Sequence, residues 1–329
     1  MFLELVRDVS QRDPKLAAQA LFGLRAYAEA PRRERPKEKP EIARVRGATL
    51  RDHGGTGPVA ILVPSLINPP RILDLDEQVS LAAAIVQMGN HVLLLDWGEV
   101  EHRSDLTIAG HIEYLLLPLL RSISEPVTLI GYCLGGTMAI AAANLAKVDR
   151  IVTLASPWNF MRYPAASKKA LEDMWRHSEL AARNLGALPM EVLQAAFWSL
   201  DPQRTVRKFA EFGMLDQESA EARRFIELEE WANEGEALPY PAAKELVEDL
   251  FARDLSGNGL WSVGGQIVSD KLPVPALHLT AKRDLIAPPE TAASGAVVAI
   301  DSGHVGMIVG SARFELHQAV RNFLDPGCR

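Results

Sequence analysis

Three residue types that together perform acyl transfer occur in one order along the chain: a cysteine at 133, an aspartate at 284 and a histidine at 304. Cys133 lies in Gly131-Tyr132-Cys133-Leu134-Gly135-Gly136, between an apolar run over 127–130 and an Ala-rich stretch over 138–146. That spacing predicts a strand, a sharp turn and a helix, with small neighbours so that the backbone can close up around a nucleophile on the turn. A thiolate is both a strong nucleophile and a good leaving group, so the placement points to a thioester intermediate. Taken alone, the same residues also describe a buried apolar cysteine in a tight turn. The rest of the chain separates the two readings.

His304 sits in Ser302-Gly303-His304-Val305-Gly306, where the flanking glycines allow a close approach to the cysteine turn. Imidazole changes charge near neutral pH, which suits a general base. Asp284, in Ala281-Lys282-Arg283-Asp284, is the expected partner that orients the imidazole and stabilises its charged form. Asp301 is a weaker acid candidate because it lies so near His304 along the chain. The bland alternatives are a loop-packing histidine and a turn aspartate before Pro288-Pro289. Nucleophile, acid and base in this order are the order of α/β-hydrolases. An anionic tetrahedral intermediate needs two N–H donors, expected from Leu134 and from Leu66 or Ile67 after the strand at 59–63. Asn68, in the same loop, could orient it or simply form a turn before Pro69-Pro70. Asp96-Trp97, at another strand end, reads equally as loop anchor and as pocket wall, and Trp158 reads as a further substrate-binding residue.

The elements that must position these residues alternate. Strands are predicted over 43–50, 59–63, 91–95, 127–130 and 151–155, with helices over 79–88, 108–123 and 137–146 between the later ones. Such a β-α rhythm calls for a mostly parallel, doubly wound sheet covered on both faces. The strand pattern returns at 276–280 and 296–300, each followed by a loop with a catalytic candidate, and a helix over 313–323 follows. Residues 2–30 give two helical patterns, and 31–40 is a charged, proline-rich linker. The expected division is an N-terminal helical segment and linker (1–40), the first part of an α/β-hydrolase core (41–156), a mainly helical cap insertion (157–268) and the second part of the core (269–329). Trp158, Trp175, Trp198 and Trp231 in the cap could line an acyl passage, though ordinary packing explains most such aromatics.

A chain of 329 residues, 48% hydrophobic and 23% charged, has material for one large decorated domain. With 35 basic and 42 acidic residues the net charge is −7, which gives no sign of nucleic-acid binding. Cys133 and Cys328 suggest no disulfide framework, and with no secretory pattern at the start the expected location is the cytoplasm. No apolar run is long enough for a transmembrane segment. The other histidines lie apart from cysteine or carboxylate ligands at metal spacing, so no metal is expected. Neither a dinucleotide fingerprint nor a phosphate loop is present.

Several segments together resemble the polyhydroxyalkanoate synthases, cysteine-dependent acyltransferases that polymerise hydroxyacyl-coenzyme A. They are Val63-Pro64-Ser65-Leu66-Ile67-Asn68-Pro69-Pro70, Ile72-Leu73-Asp74-Leu75, Asp96-Trp97-Gly98, Gly131-Tyr132-Cys133-Leu134-Gly135-Gly136-Thr137, Ser156-Pro157-Trp158-Asn159-Phe160, Leu260 with Gly264-Gly265, Asp284-Leu285-Ile286-Ala287-Pro288-Pro289 and Gly303-His304-Val305-Gly306. The resemblance spans residues 58–325. It implies that Cys133 takes the acyl group from a coenzyme A thioester, that His304 activates the thiol, and that Asp284 helps activate the 3-hydroxyl of the incoming monomer. It implies no bound cofactor, and it allows a homodimer or partner subunit and a polyester granule surface as partners. Two departures stand out: the family commonly has Asp-His in place of Asp284-Leu285, and an aspartate in place of Asn159. The alternatives are a cysteine hydrolase of esters, thioesters or polyester, with water as acceptor, and a non-catalytic granule-associated protein.

Overall fold

The computed structural model describes residues 2–35 and 37–325; Cys328 lies outside them. Among the described residues Cys133 is a free thiol. The main sheet has eight strands: β1 (Glu41–Val45), β2 (Ala48–Gly54), β3 (Val59–Val63), β4 (His91–Asp96), β5 (Val127–Tyr132), β6 (Val148–Leu154), β7 (Ala276–Ala281) and β8 (Ala296–Ile300). Their spatial order is β1-β2-β4-β3-β5-β6-β7-β8. β1 and β2 run antiparallel to their neighbours, and β4 through β8 are parallel. Every residue of β3 and β5 is buried, as it must be for strands covered on both faces. This order and direction define the α/β-hydrolase fold expected from the sequence.

The chain leaves β3 towards β4 and leaves β5 towards β6, so the loops beyond these two adjacent strands part and open a crevice at their carboxyl ends. Cys133 follows β5 and Leu66 follows β3, which places both on that crevice.

Two local differences from the expected pattern have physical causes. The segment expected as one strand over 43–50 is a hairpin, with Val45 opposite Ala48 and Arg46 at φ 53° in the turn. Asn-Gly would have announced such a turn, and Arg46-Gly47 does not. The helix expected from 137 begins at Leu134, because the backbone at Cys133 switches from strand to helix within a single residue.

The chain divides into two compact units, Met1–Glu38 with Met190–Gly235, and Lys39–Pro189 with Glu236–Arg329. Residues 157–268 are therefore shared between them. The first unit is helical. Val6, Ala17, Ala20, Val206, Phe209 and Ala210 form its core, and Tyr27 sets its ring edge-on to Phe209, Phe212 and Phe225. Gly23 packs so near that an added Cβ would lie 1.7 Å from the Phe209 carbonyl oxygen. The second unit contains the sheet and every residue of the site described next.

Candidate active site

Cys133 stands between β5 and the helix Leu134–Ala143 at φ 54° and ψ −130°, a conformation that costs a non-glycine residue free energy. Its N–H donates to Leu154 O at 2.9 Å, and its carbonyl accepts from Gly136 N at 2.9 Å. Sterics make the three glycines of the motif obligatory. A Cβ on Gly131 would lie 2.4 Å from Gly136 Cα, one on Gly135 would lie 2.2 Å from Val63 O, and one on Gly136 would lie 1.9 Å from Ser156 Oγ. The side chain of Cys133 is left partly exposed, as an attacking group requires.

His304 reaches the same point from the loop after β8. Its Nδ1 donates to Asp284 Oδ2 at 2.7 Å, with both side chains buried, and Cys133 lies near enough to the ring to favour its charged form. The second Asp284 oxygen, Oδ1, accepts from Ile286 N at 2.8 Å and Ala287 N at 2.9 Å. Burial opposes a positive charge on His304, but the electrostatic pull of Asp284, its hydrogen bond and the neighbouring Cys133 outweigh it and push the pKa up to about 10. An imidazolium therefore faces the sulfur at neutral pH. The structure thus brings Cys133, Asp284 and His304 together. Asp301 is not among them: it is exposed and pairs with Arg283 at 2.7 Å.

Leu134, as the first residue of its helix, has an N–H with no acceptor inside the helix. On the facing loop, the Ile67 N–H lies 3.4 Å from Ser65 Oγ, whereas the Leu66 N–H makes no hydrogen bond among the described residues. Trp97 is buried and donates from Nε1 to Pro64 O at 3.1 Å, which ties the end of β4 to this loop. Its ring also meets His111 edge-on, with the centroids 5.9 Å apart. Asp96 accepts from Gly98 N at 3.0 Å and faces Arg51. Asn68 is partly buried in the loop that carries Leu66.

Trp158 is 1% exposed and packs edge-on to Trp261, so its ring belongs to the interior and not to an open wall. Asn159 donates from Nδ2 to Ala292 O at 2.7 Å. Sequence reasoning passed over two tyrosines. Tyr163 donates to Ile286 O at 2.9 Å, which braces the loop whose N–H groups hold Asp284, and its ring meets Phe160 and Phe251. No spacing rule could have found it, because its partner is 123 residues away. Tyr132 lies beside His304 and was visible only as the aromatic preceding the nucleophile.

Among the described residues no group of three or more His, Cys, Asp or Glu is arranged to hold a metal, and no helix is long and apolar enough to cross a membrane. Fold and geometry together define the class: an α/β-hydrolase fold with a cysteine on the turn after β5. Within that class the chain is similar to curated polyhydroxyalkanoate polymerases, in agreement with the resemblance seen in its motifs. The poly(3-hydroxyalkanoate) polymerase subunit PhaC of Haloferax mediterranei is 27% identical over 271 residues, 76% of this chain and 55% of that one. The subunit of the same name from Synechocystis is 27% identical over 292 residues, covering 80% of this chain and 77% of the relative. The chain spans about half the length of its Haloferax and Haloarcula relatives. No family model matches it. Among solved structures, a thermophilic esterase from Thermogutta terrifontis aligns with a TM-score of 0.47 at 16% identity, over 88% of this chain and 98% of that one.

Proposed function

We propose that this protein is an acyltransferase of the polyhydroxyalkanoate synthase type, which moves a 3-hydroxyacyl group from a coenzyme A thioester to Cys133 and then to a hydroxyl at the end of a growing polyester. The observation that carries the reading is a thiol on a strained turn beside an imidazole whose Nδ1 is held by a buried carboxylate. In the first half-reaction the Cys133 sulfur attacks the thioester carbonyl. The N–H groups of Leu134 and Leu66 stabilise the oxyanion, and coenzyme A departs with a proton from His304. In the second, neutral His304 takes the proton of the acceptor hydroxyl as that oxygen attacks the acyl-cysteine. The Cys133 thiolate leaves, and the ion pair with His304 is restored.

Both oxygens of Asp284 are already engaged, one by His304 and one by two backbone N–H groups. This supports assigning Asp284 to orientation of the imidazole, with hydroxyl activation falling to His304. We place the reaction in the cytoplasm, at the surface of the polymer that it extends. Incubation with 3-hydroxybutyryl-coenzyme A tests the proposal: an acyl mass on Cys133 followed by polymer and free coenzyme A is expected. Monomeric hydroxyacid without polymer would replace it with a thioester hydrolase, and absence of any acyl adduct would remove catalysis altogether.

A further inference from the structure

Tyr132, the last residue of β5 and the immediate neighbour of Cys133, has no part in the steps above. It is 2% exposed. Its ring centroid lies 5.1 Å from that of His304 with the planes at 34°, and its hydroxyl is 3.5 Å from the main-chain carbonyl of the same histidine. Burial raises the tyrosine pKa well above its ordinary value, so the hydroxyl keeps its proton and can donate. His304 is therefore met by Asp284 at Nδ1, by Cys133 and by the Tyr132 ring, tilted 34° to its own. The negative face of a ring attracts a cation, and more strongly where water is excluded.

We propose that Tyr132 is a positioning residue for acyl transfer: its ring face holds the His304 imidazolium in place beside Asp284 and Cys133. The inference rests on the functional reading of Cys133 and His304 given above. It adds a requirement for an aromatic face at the position before the nucleophile. The titratable groups that act on the imidazolium are Asp284 and Cys133.

Two readouts test it: the NMR titration of the His304 ring, and single-turnover acylation of Cys133 by 3-hydroxybutyryl-coenzyme A across thioester concentrations. In Tyr132→Leu, His304 should bind its proton about tenfold more weakly, as expected for a lost cation-face contact. Saturating acylation should slow about tenfold, with the half-saturating concentration unchanged. Tyr132→Phe should restore both to within about twofold. Because the Leu variant removes packing, a second probe keeps the size of the ring: pentafluorophenylalanine at 132 reverses the charge on its face and should weaken the His304 proton relative to Tyr132→Phe. Equal His304 titration in the phenyl and fluorinated proteins would overturn the proposal, as would failure of Tyr132→Phe to rescue. If the unsubstituted protein forms no acyl adduct, the functional reading fails, while the titration still decides the role of Tyr132.

Discussion

At the scale of single residues, Cys133 combines the proposed nucleophile with an unfavourable backbone. Its positive φ suits glycine, so Cys133→Gly should be more stable than Cys133→Ala by about 1 kcal/mol in urea unfolding, while neither variant forms an acyl adduct. Equal stability would mean that the turn stores no strain. His304 makes a second prediction. Its folded pKa of about 10 lies above the ordinary value of 6.5, so the charged ring contributes stability that is complete below about pH 6.5 and is lost as pH rises through about 10. The stability difference between the native protein and His304→Gln should fade across that window, and Asp284→Asn should move the titration of His304 to lower pH. A difference independent of pH from 6 to 10 would contradict the ion pair.

At the scale of elements, the turn is possible because the helix after β5 sits directly on the loop after β3. Gly135→Ala would drive a Cβ to within 2.2 Å of the Val63 carbonyl, which is backbone and cannot rotate away. A loss of about 3 kcal/mol is expected in denaturant unfolding, and a loss below about 1 kcal/mol would show that the two segments separate easily. The strands β3 to β7 were legible in the sequence because buried parallel strands must be continuous apolar runs, and β8 was legible as an apolar run although it forms the exposed edge of the sheet; the loops after β5, β7 and β8 carry Cys133, Asp284 and His304. What stayed hidden follows from contacts between distant segments or from weak local signals. Arg46-Gly47 lacks the chemistry of a strong hairpin turn, the bond from Tyr163 to Ile286 spans two remote segments, and Trp158 shows its packing role only once Trp261 lies against it.

At the scale of the whole molecule, the helices Phe2–Ser10 and Pro14–Glu29 share a core with Pro202–Phe212, so residues from the start of the chain and from the middle form one unit. Sequence periodicity identified the first two helices but could not say what covered their apolar faces. Gly23→Ala should loosen that unit, since even a methyl group collides with the Phe209 carbonyl. Hydrogen exchange should quicken in these three helices while β5 keeps its protection, and uniform acceleration throughout would show that the two units unfold as one. The segment Met190–Gly235 departs and returns through a pair of short strands, in which Ala187 lies opposite Pro239 and Leu188 opposite Leu238. Ends clamped side by side in this way act as a socket: the excursion leaves and re-enters the scaffold at one place, so an insertion in its connecting loops should cost the scaffold that holds the thiol little, because the entropy of closing the excursion changes only slowly with its length.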